Sequence, residues 1–148
     1  FNFRGVGKSA GAHDNGVGEV EDARAALRWL ASRYRYARRT LAGFSFGSGI
    51  AAHLAAGEPV IERLVLIAPP VERADFGVLR SCSVPKLVIQ GMADTVVKPP
   101  AVEAEFARWA EPKKLIRVEG AGHFFDKHLG ALGEALSQEL QPQLERKP

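Results

Sequence analysis

Disulfides and membrane spans are both missing from this sequence. Its 148 residues include a single cysteine, Cys82, so no disulfide can form within the chain. A lone cysteine fits a reducing compartment best, and we expect a cytoplasmic protein rather than a disulfide-stabilised secreted one. No apolar run approaches the ~18 residues that a membrane-spanning helix needs, so we expect no membrane partner. Cys82 also lacks the following helix start that a cysteine nucleophile would use.

A strong excess of one charge and the spacing of metal ligands are missing as well. The net charge is only +3, and the densest basic group, at positions 33, 35, 38 and 39, falls where a helix should end. Cations stabilise the dipole there, so we expect no nucleic-acid partner. No cluster of His, Cys, Asp or Glu has metal-ligand spacing, and we expect neither a metal nor another cofactor. Residues 4–9 resemble a phosphate-binding loop but lack its first glycine and its helix.

Apolar runs that alternate with helical patterns make up most of the chain. Four runs predict buried strands, at 40–44, 64–68, 86–90 and 115–118, and residues 1–3 resemble the end of another. Apolar residues at three- and four-residue steps predict helices at 20–34, 46–56, 99–110 and 125–140. This alternation predicts one α/β domain, residues 1–148, with a mostly parallel sheet and helices on both faces. The segment at about residues 69–85 remains as a minimal cap, too short for a multi-helix lid.

The pattern G-x-S-x-G occurs at residues 43–47, directly after a predicted strand and before a predicted helix. A nucleophile elbow requires this setting, because it exposes the serine, here Ser45, on a strained turn. Glycines at 43 and 47 would remove Cβ atoms that the turn brings into collision. The turn would also direct the backbone N–H of Phe46 toward a developing oxyanion. A tight turn with an incidental serine is the alternative interpretation.

Two partners for Ser45 are predicted on the same edge of the sheet. Asp94 follows the strand at 86–90, and His123 follows the strand at 115–118. Because ligands bind beyond the carboxyl ends of parallel strands, we predict Ser45 as nucleophile, His123 as base and Asp94 as orienting acid. Taken singly, Asp94 is also compatible with capping a turn, and His123 with starting a helix.

Other titratable and aromatic residues fit this pattern less well or leave alternatives open. Asp75 is a rival acid, but it stands several residues too far along its loop. Three histidines lie outside the pattern: His13 in the first loop, near the pocket, and His53 and His128 in predicted helices. The phenylalanines at 44, 46, 76, 124 and 125 fit either a pocket rim or the core. We predict that three of them contact the substrate: Phe44, Phe76 and Phe124.

Together these motifs resemble those of the small bacterial α/β-hydrolases identified as serine hydrolases or esterases. The resemblance rests on residues 1–9, 18–22, 42–47, 67–70, 91–94 and 122–125. It implies an α/β-hydrolase fold and cleavage of a carboxylic ester, or a related small-molecule acyl substrate, through an acyl-enzyme. It also implies the same roles for Ser45, Asp94 and His123. The chain departs from the family at Ser48, where a glycine or alanine is usual.

The resemblance further implies N-terminal strands that are absent from this chain. One of them would lie between the strands represented here by residues 1–3 and 40–44, and its loop would supply a second oxyanion donor. Without it, rows of backbone donors and acceptors are unpaired. We therefore expect the 148 residues alone to be unstable, to form homo-oligomers through this sheet edge, or to be part of a longer gene product. A truncated hydrolase that only binds a small molecule or a protein is the alternative function.

Overall fold

The centre of the molecule is a four-stranded, fully parallel sheet whose strands lie side by side in chain order. The computed structural model describes residues 1–35 and 38–140, so residues 36, 37 and 141–148 of the predicted domain lie outside the described residues. The strands are β1 (Thr40–Phe44), β2 (Arg63–Ile67), β3 (Lys86–Gly91) and β4 (Lys113–Val118). All six residues of β3 are buried, whereas β1 alternates between exposed and half-buried residues. The prediction of a parallel sheet is confirmed.

Helices cover both faces of this sheet. Leu64, Leu66 and Val88 pack on one face in a core formed with three helices: α1 (Val17–Arg33), α2 (Phe46–Gly57) and α3 (Pro99–Phe106). Their strand neighbours Val65 and Leu87 point to the other face and pack against α4 (Leu129–Leu140). Alternation along a strand sends neighbouring side chains to opposite faces, which explains why these strands are apolar throughout. Within the described residues, no helix is long and apolar enough to cross a membrane.

The chain before α1 is held by two carboxylates of that helix. Arg4 donates to Asp22 from its backbone N–H at 2.9 Å and from its guanidinium at 2.7 Å. The guanidinium bond lowers the pKa of Asp22. Burial alone would raise the pKa of Glu19, but the backbone N–H groups of Asp14 and Gly16 donate to its carboxylate and lower that pKa. Both side chains are therefore ionised at neutral pH and anchor the first loop.

Several element boundaries differ from the sequence-based expectation; α1, for example, begins at Val17 rather than at residue 20. Residues 1–3 do not form a strand, because no described strand lies beside them to pair with their backbone. The third helix ends at Phe106 rather than at residue 110. The last helix begins at Leu129, since Phe125 and Lys127 have positive φ angles of 56° and 64° that a right-handed helix excludes. Residues 123–128 therefore form turns rather than helix, beyond the edge of the sheet at which the strands end.

The predicted cap segment packs into the domain rather than standing above it. Residues 69–85 contain turns and one short 3₁₀ helix, Gly77–Arg80. Phe76, Leu79 and Cys82 of this segment are all buried in the core on the α2 side of the sheet. The segment therefore contributes packing and leaves the edge above the strands uncovered by helices of its own.

Candidate active site

Ser45 occupies a strained turn between β1 and α2. Its φ of 48° and ψ of −120° lie in a region that residues with a Cβ rarely adopt, at a typical cost of about 1–3 kcal/mol. Backbone hydrogen bonds hold the conformation: the N–H of Ser45 donates to the carbonyl of Ile67 at 2.9 Å. Ser48 donates to the Ser45 carbonyl from its backbone N–H at 2.9 Å and from its hydroxyl at 2.5 Å. Hydrogen bonds to the sheet and to α2 therefore both hold this turn in place.

The two glycines that flank this turn differ in what they allow. A Cβ atom on Gly43 would lie 2.2 Å from the Gly47 carbonyl oxygen and 2.6 Å from the Ser48 Cα, both backbone atoms that cannot move aside. A Cβ atom on Gly47 would have no atom within 4 Å. The expectation that both glycines avoid a collision is therefore right for Gly43 and wrong for Gly47. Only Gly43 would collide, because its Cβ atom would point toward the first turn of α2, whereas the Cβ atom of Gly47 would point to open space.

Replacing each glycine by alanine should separate these two cases. Gly43→Ala is expected to lower the free energy of unfolding by about 3 kcal/mol or more, since backbone must shift to make room. Gly47→Ala, inside a helix and facing open space, is expected to keep that stability or raise it by up to about 1 kcal/mol. Urea denaturation of the two variants gives the comparison. Equal losses in both would contradict this account of the turn.

Asp94 is buried in the loop after β3, and both of its carboxylate oxygens are used. Its side chain is 0 % exposed. Oδ1 accepts hydrogen bonds from the backbone N–H groups of Val96 and Val97, each at 2.8 Å. Oδ2 faces His123 Nδ1 at 2.8 Å and the amide nitrogen of Gln90 at 3.3 Å. The Asp94 carboxylate therefore both caps a turn and pairs with His123.

His123 links Asp94 to Ser45. Its Nδ1 lies 2.8 Å from Asp94 Oδ2, and its Nε2 lies 3.0 Å from Ser45 Oγ. An ionised carboxylate can only accept, so the Nδ1 atom carries the proton and donates it to this bond. Nε2 of the neutral ring is then left to accept the Ser45 hydroxyl proton. The structure thus brings together the three side chains that the sequence placed on one edge.

Close packing of two strand ends sets the spacing between Asp94 and His123. The N–H of Ala93 donates to the Ala121 carbonyl at 2.9 Å, and that of Met92 to Val118 at 3.0 Å. A Cβ atom on Gly91 would lie 2.4 Å from the Ala121 carbonyl oxygen, so only glycine lets the two segments approach this closely. The loop after β3 and the turn after β4 are therefore held as one unit.

The phenylalanines predicted to contact substrate fall into two groups. The rings of Phe44 and Phe124 lie 5.2 Å and 5.0 Å from the His123 ring and are 41 % and 64 % exposed. Phe76 is instead 2 % exposed and stacks on Trp109 in the core, so the structure does not place it at the rim. Phe125 is also buried, on the α4 side. A phenylalanine after an apolar strand looks the same in sequence whether it faces the core or solvent.

Phe46 begins α2, and its backbone lies beside Ser45 at the positive end of that helix. The first N–H groups of a helix have no partner inside the helix, so that of Phe46 is suited to an anion. The exposed Phe46 ring contacts His13 and Phe3, with centroids 5.3 Å and 6.2 Å away. The buried Glu19 carboxylate holds the His13 ring through Nδ1 at 2.9 Å.

A cavity of about 590 Å³ lies beside this end of α2. Its lining includes Phe46, Ile50 and His53 of α2 together with Arg73 and Asp75 of the cap segment. The volume falls within the usual range for small-molecule sites, roughly 300–1,000 Å³. The cavity therefore offers space for part of a ligand next to the turn that carries Ser45.

The remaining candidates lie outside the Ser45 chain of contacts. His53 Nε2 faces the Asp75 carbonyl and His128 Nδ1 faces the Asp126 carbonyl, both at 2.9 Å. Across residues 1–35 and 38–140, no group of three or more His, Cys, Asp or Glu side chains is arranged to hold a metal ion.

Gln90 was not singled out from the sequence, although a polar residue in an apolar strand four positions before Asp94 is a usable signal.

Comparisons with known proteins agree with this architecture. A profile of the alpha/beta hydrolase fold family matches residues 1–80. The uncharacterized protein RP471 of Rickettsia prowazekii is 38 % identical over 149 residues, covering 95 % of this chain and 63 % of that protein. An alpha-beta serine hydrolase homologue from Coxiella burnetii is 42 % identical with a TM-score of 0.89, covering 94 % of this chain and 66 % of its own. XC6422 from Xanthomonas campestris, a serine hydrolase without a lid, is 38 % identical with a TM-score of 0.90, covering 99 % and 66 %.

The chain corresponds to only part of each of these relatives. The chain spans 63 % of the length of the Rickettsia protein and 66 % of the length of each of the two structures. The family profile covers more than half of the chain, and the superposed structures reproduce its parallel sheet and helices. On sequence and on fold, the chain belongs to the alpha/beta hydrolase fold family.

Proposed function

We propose that this chain is a serine hydrolase that cleaves a carboxylic ester, or a related acyl compound, through Ser45, His123 and Asp94. The observation that carries the proposal is the unbroken series of contacts from Asp94 Oδ2 through both ring nitrogens of His123 to Ser45 Oγ, at 2.8 Å and 3.0 Å. A serine hydroxyl becomes nucleophilic when a base accepts its proton and a third group orients that base. Similarity to a serine hydrolase homologue of Coxiella and to a serine hydrolase of Xanthomonas supports the same chemistry.

The reaction has two half-reactions. Ser45 Oγ attacks the acyl carbon while His123 Nε2 takes the hydroxyl proton, and Asp94 stabilises the imidazolium that forms. The ring then gives this proton to the departing alcohol, leaving an ester between Ser45 and the acyl group. Water enters, loses a proton to the same nitrogen and attacks the acyl-enzyme. The ring then returns that proton to Ser45 Oγ as the carboxylic acid leaves, which restores the free serine.

The negative oxygen formed in each half-reaction needs hydrogen-bond donors. We assign one of them to the backbone N–H of Phe46, which follows the nucleophile at the start of α2. The conformation of Ser45 is fixed before substrate arrives, so this donor requires little rearrangement during the reaction. One such donor is typically worth on the order of 10²–10³ in rate.

The substrate is proposed to lie across an open, aromatic rim. Phe44 and Phe124 expose their rings beside His123, with their own centroids 6.2 Å apart, and offer apolar area to an acyl or aryl group. The cap segment packs into the core and does not form a helical lid above them. These features favour short-chain or aryl esters over long chains that require an enclosed tunnel.

Fluorophosphonate labelling tests the proposal directly, because the reagent phosphonylates only an activated serine. We expect a single adduct on Ser45 by intact mass and peptide mapping, and none in Ser45→Ala. Ser32→Ala is the control: Ser32 is exposed near the end of α1, and its hydroxyl donates to the Trp29 carbonyl at 2.8 Å. That variant should still be labelled at Ser45.

The outcomes separate activity from folding. Labelling at Ser45 followed by turnover of short-chain p-nitrophenyl esters would support hydrolysis. A chain that is folded by circular dichroism and yet carries no adduct, or carries it on another serine, would contradict the proposed nucleophile.

A further inference from the structure

Gln90 is a buried amide in a strand that otherwise packs the core. It lies at the carboxyl end of β3 and is 1 % exposed. Polar groups buried this deeply normally have all their hydrogen bonds satisfied, because water cannot reach them. Its partners therefore indicate what the amide does.

The Gln90 nitrogen faces three oxygen atoms. Nε2 lies 3.0 Å from the Gly91 carbonyl, 3.2 Å from the Val97 carbonyl and 3.3 Å from Asp94 Oδ2. All three atoms are acceptors, so turning the amide round would place its oxygen against three oxygens. The acceptors themselves thus fix the orientation of the amide, with its two N–H groups shared among them.

These contacts reach both the acid and the loop that carries it. Asp94 Oδ2, which Gln90 contacts, is the oxygen that faces His123 Nδ1 at 2.8 Å. Val97, whose carbonyl accepts from Gln90, donates its own N–H to Asp94 Oδ1. Gln90 therefore links β3 to the 94–97 loop and restricts the position of the Asp94 carboxylate next to His123.

The other end of the amide is unsatisfied. Gln90 Oε1 is buried and has no hydrogen-bond partner in the part of the chain that the structure describes. This unpaired oxygen is a cost to stability, so the contacts of the amide nitrogen must account for a glutamine at this position. A group that is retained at a cost to packing is characteristic of a site where function sets the residue.

We propose that Gln90 is a positioning residue, whose amide holds the Asp94 carboxylate and the 94–97 loop in the geometry that orients His123. The proposal rests on the proposed function, since it assigns Gln90 a part in the same site. Gln90 touches neither Ser45 nor the substrate rim and acts only through Asp94.

Gln90→Met tests this role, because methionine has a similar volume and removes both the donor and the unsatisfied oxygen. We expect the variant to stay folded with a lower midpoint in urea, because the Val97 carbonyl and Asp94 lose a buried donor. The rate of fluorophosphonate labelling at Ser45 per folded molecule is expected to fall roughly ten- to hundredfold. The downfield proton signal of the His123 Nδ1–H, which reports the bond to Asp94, should shift or broaden.

Lys86→Met is the matched control. Lys86 lies four residues earlier on the same face of β3, is also buried, and donates to the carbonyls of Cys82 and Val84. Its replacement is expected to change stability but to leave the labelling rate per folded molecule and the Nδ1–H signal as they were. The same loss of labelling in both variants would assign Gln90 a structural role and overturn the proposal.

The proton signal keeps this test separate from that of the hydrolase function. It needs neither substrate nor turnover, so it can be compared between Gln90→Met and the unmodified chain even where no serine is labelled. Failure of labelling in the unmodified chain would count against the hydrolase. An unchanged Nδ1–H signal in Gln90→Met would count against Gln90.

Discussion

Replacing His123 with alanine is expected to lower kcat for ester hydrolysis by about 10⁶-fold, the size of loss seen when the base of such a triad is removed. Nε2 of this ring is 3.0 Å from Ser45 Oγ and is the acceptor for the hydroxyl proton in the proposed reaction. Alanine leaves that proton with no base, and it also leaves the departing alcohol with no acid. The loss should appear in kcat rather than in KM, because the ring serves the transition state.

The measurement is steady-state hydrolysis of a p-nitrophenyl ester, with circular dichroism to confirm the fold. His128→Ala is the control, since that half-buried side chain contacts the Asp126 carbonyl and does not reach Ser45. It should keep activity within a few-fold. A His123→Ala enzyme that retains more than about one hundredth of the activity would refute its assignment as base.

Replacing Asp94 with asparagine is expected to lower kcat by about 10⁴-fold while leaving the fold intact. The N–H groups of Val96 and Val97 both donate to the Oδ1 position at 2.8 Å, so the asparagine carbonyl oxygen will occupy that position. Its NH₂ group then takes the place of Oδ2 and faces His123 Nδ1. Nδ1 must become an acceptor, the ring proton moves to Nε2, and the base can no longer take the proton of Ser45.

The same kinetic assay tests this second variant, and Asp75→Asn is its matched control. Asp75 is the rival acid on the same side of the domain, and one carboxylate oxygen accepts from the Gly77 N–H at 2.7 Å. Its replacement is expected to leave kcat nearly unchanged. Comparable losses in both variants would transfer the orienting role away from Asp94.

The position of the candidate site was predictable because it follows from chain direction alone. Parallel strands end at one edge, so residues directly after β1, β3 and β4 had to come near one another. This rule and the turn pattern around the serine were sufficient to predict Ser45, Asp94 and His123. The alternation of apolar runs and helical patterns likewise predicted the two covered faces of the sheet.

Features that depend on side-chain direction or loop shape were not predictable. Phe76 and Phe124 both follow strands, yet one stacks in the core and the other is exposed, because the path of each loop decides the outcome. The contact of Gln90 with Asp94 requires the loop to fold back over the end of β3. The positive φ of Phe125 delays the last helix, although apolar spacing alone extends the helix back to that residue.

The distances along the chain between the three site residues have a consequence for biosynthesis. Ser45 and His123 are 78 residues apart, and Asp94 and His123 are 29 apart. A ribosome therefore delivers the proposed nucleophile long before the proposed base, and the intervening strands must pair before the two can meet. A nascent or prematurely terminated chain would expose Ser45 as an ordinary alcohol, chemically inert toward acyl compounds in the cell. Under the proposed function, reactivity at Ser45 would arise only once β4 has paired with β3, so labelling of Ser45 would also report that the sheet has formed.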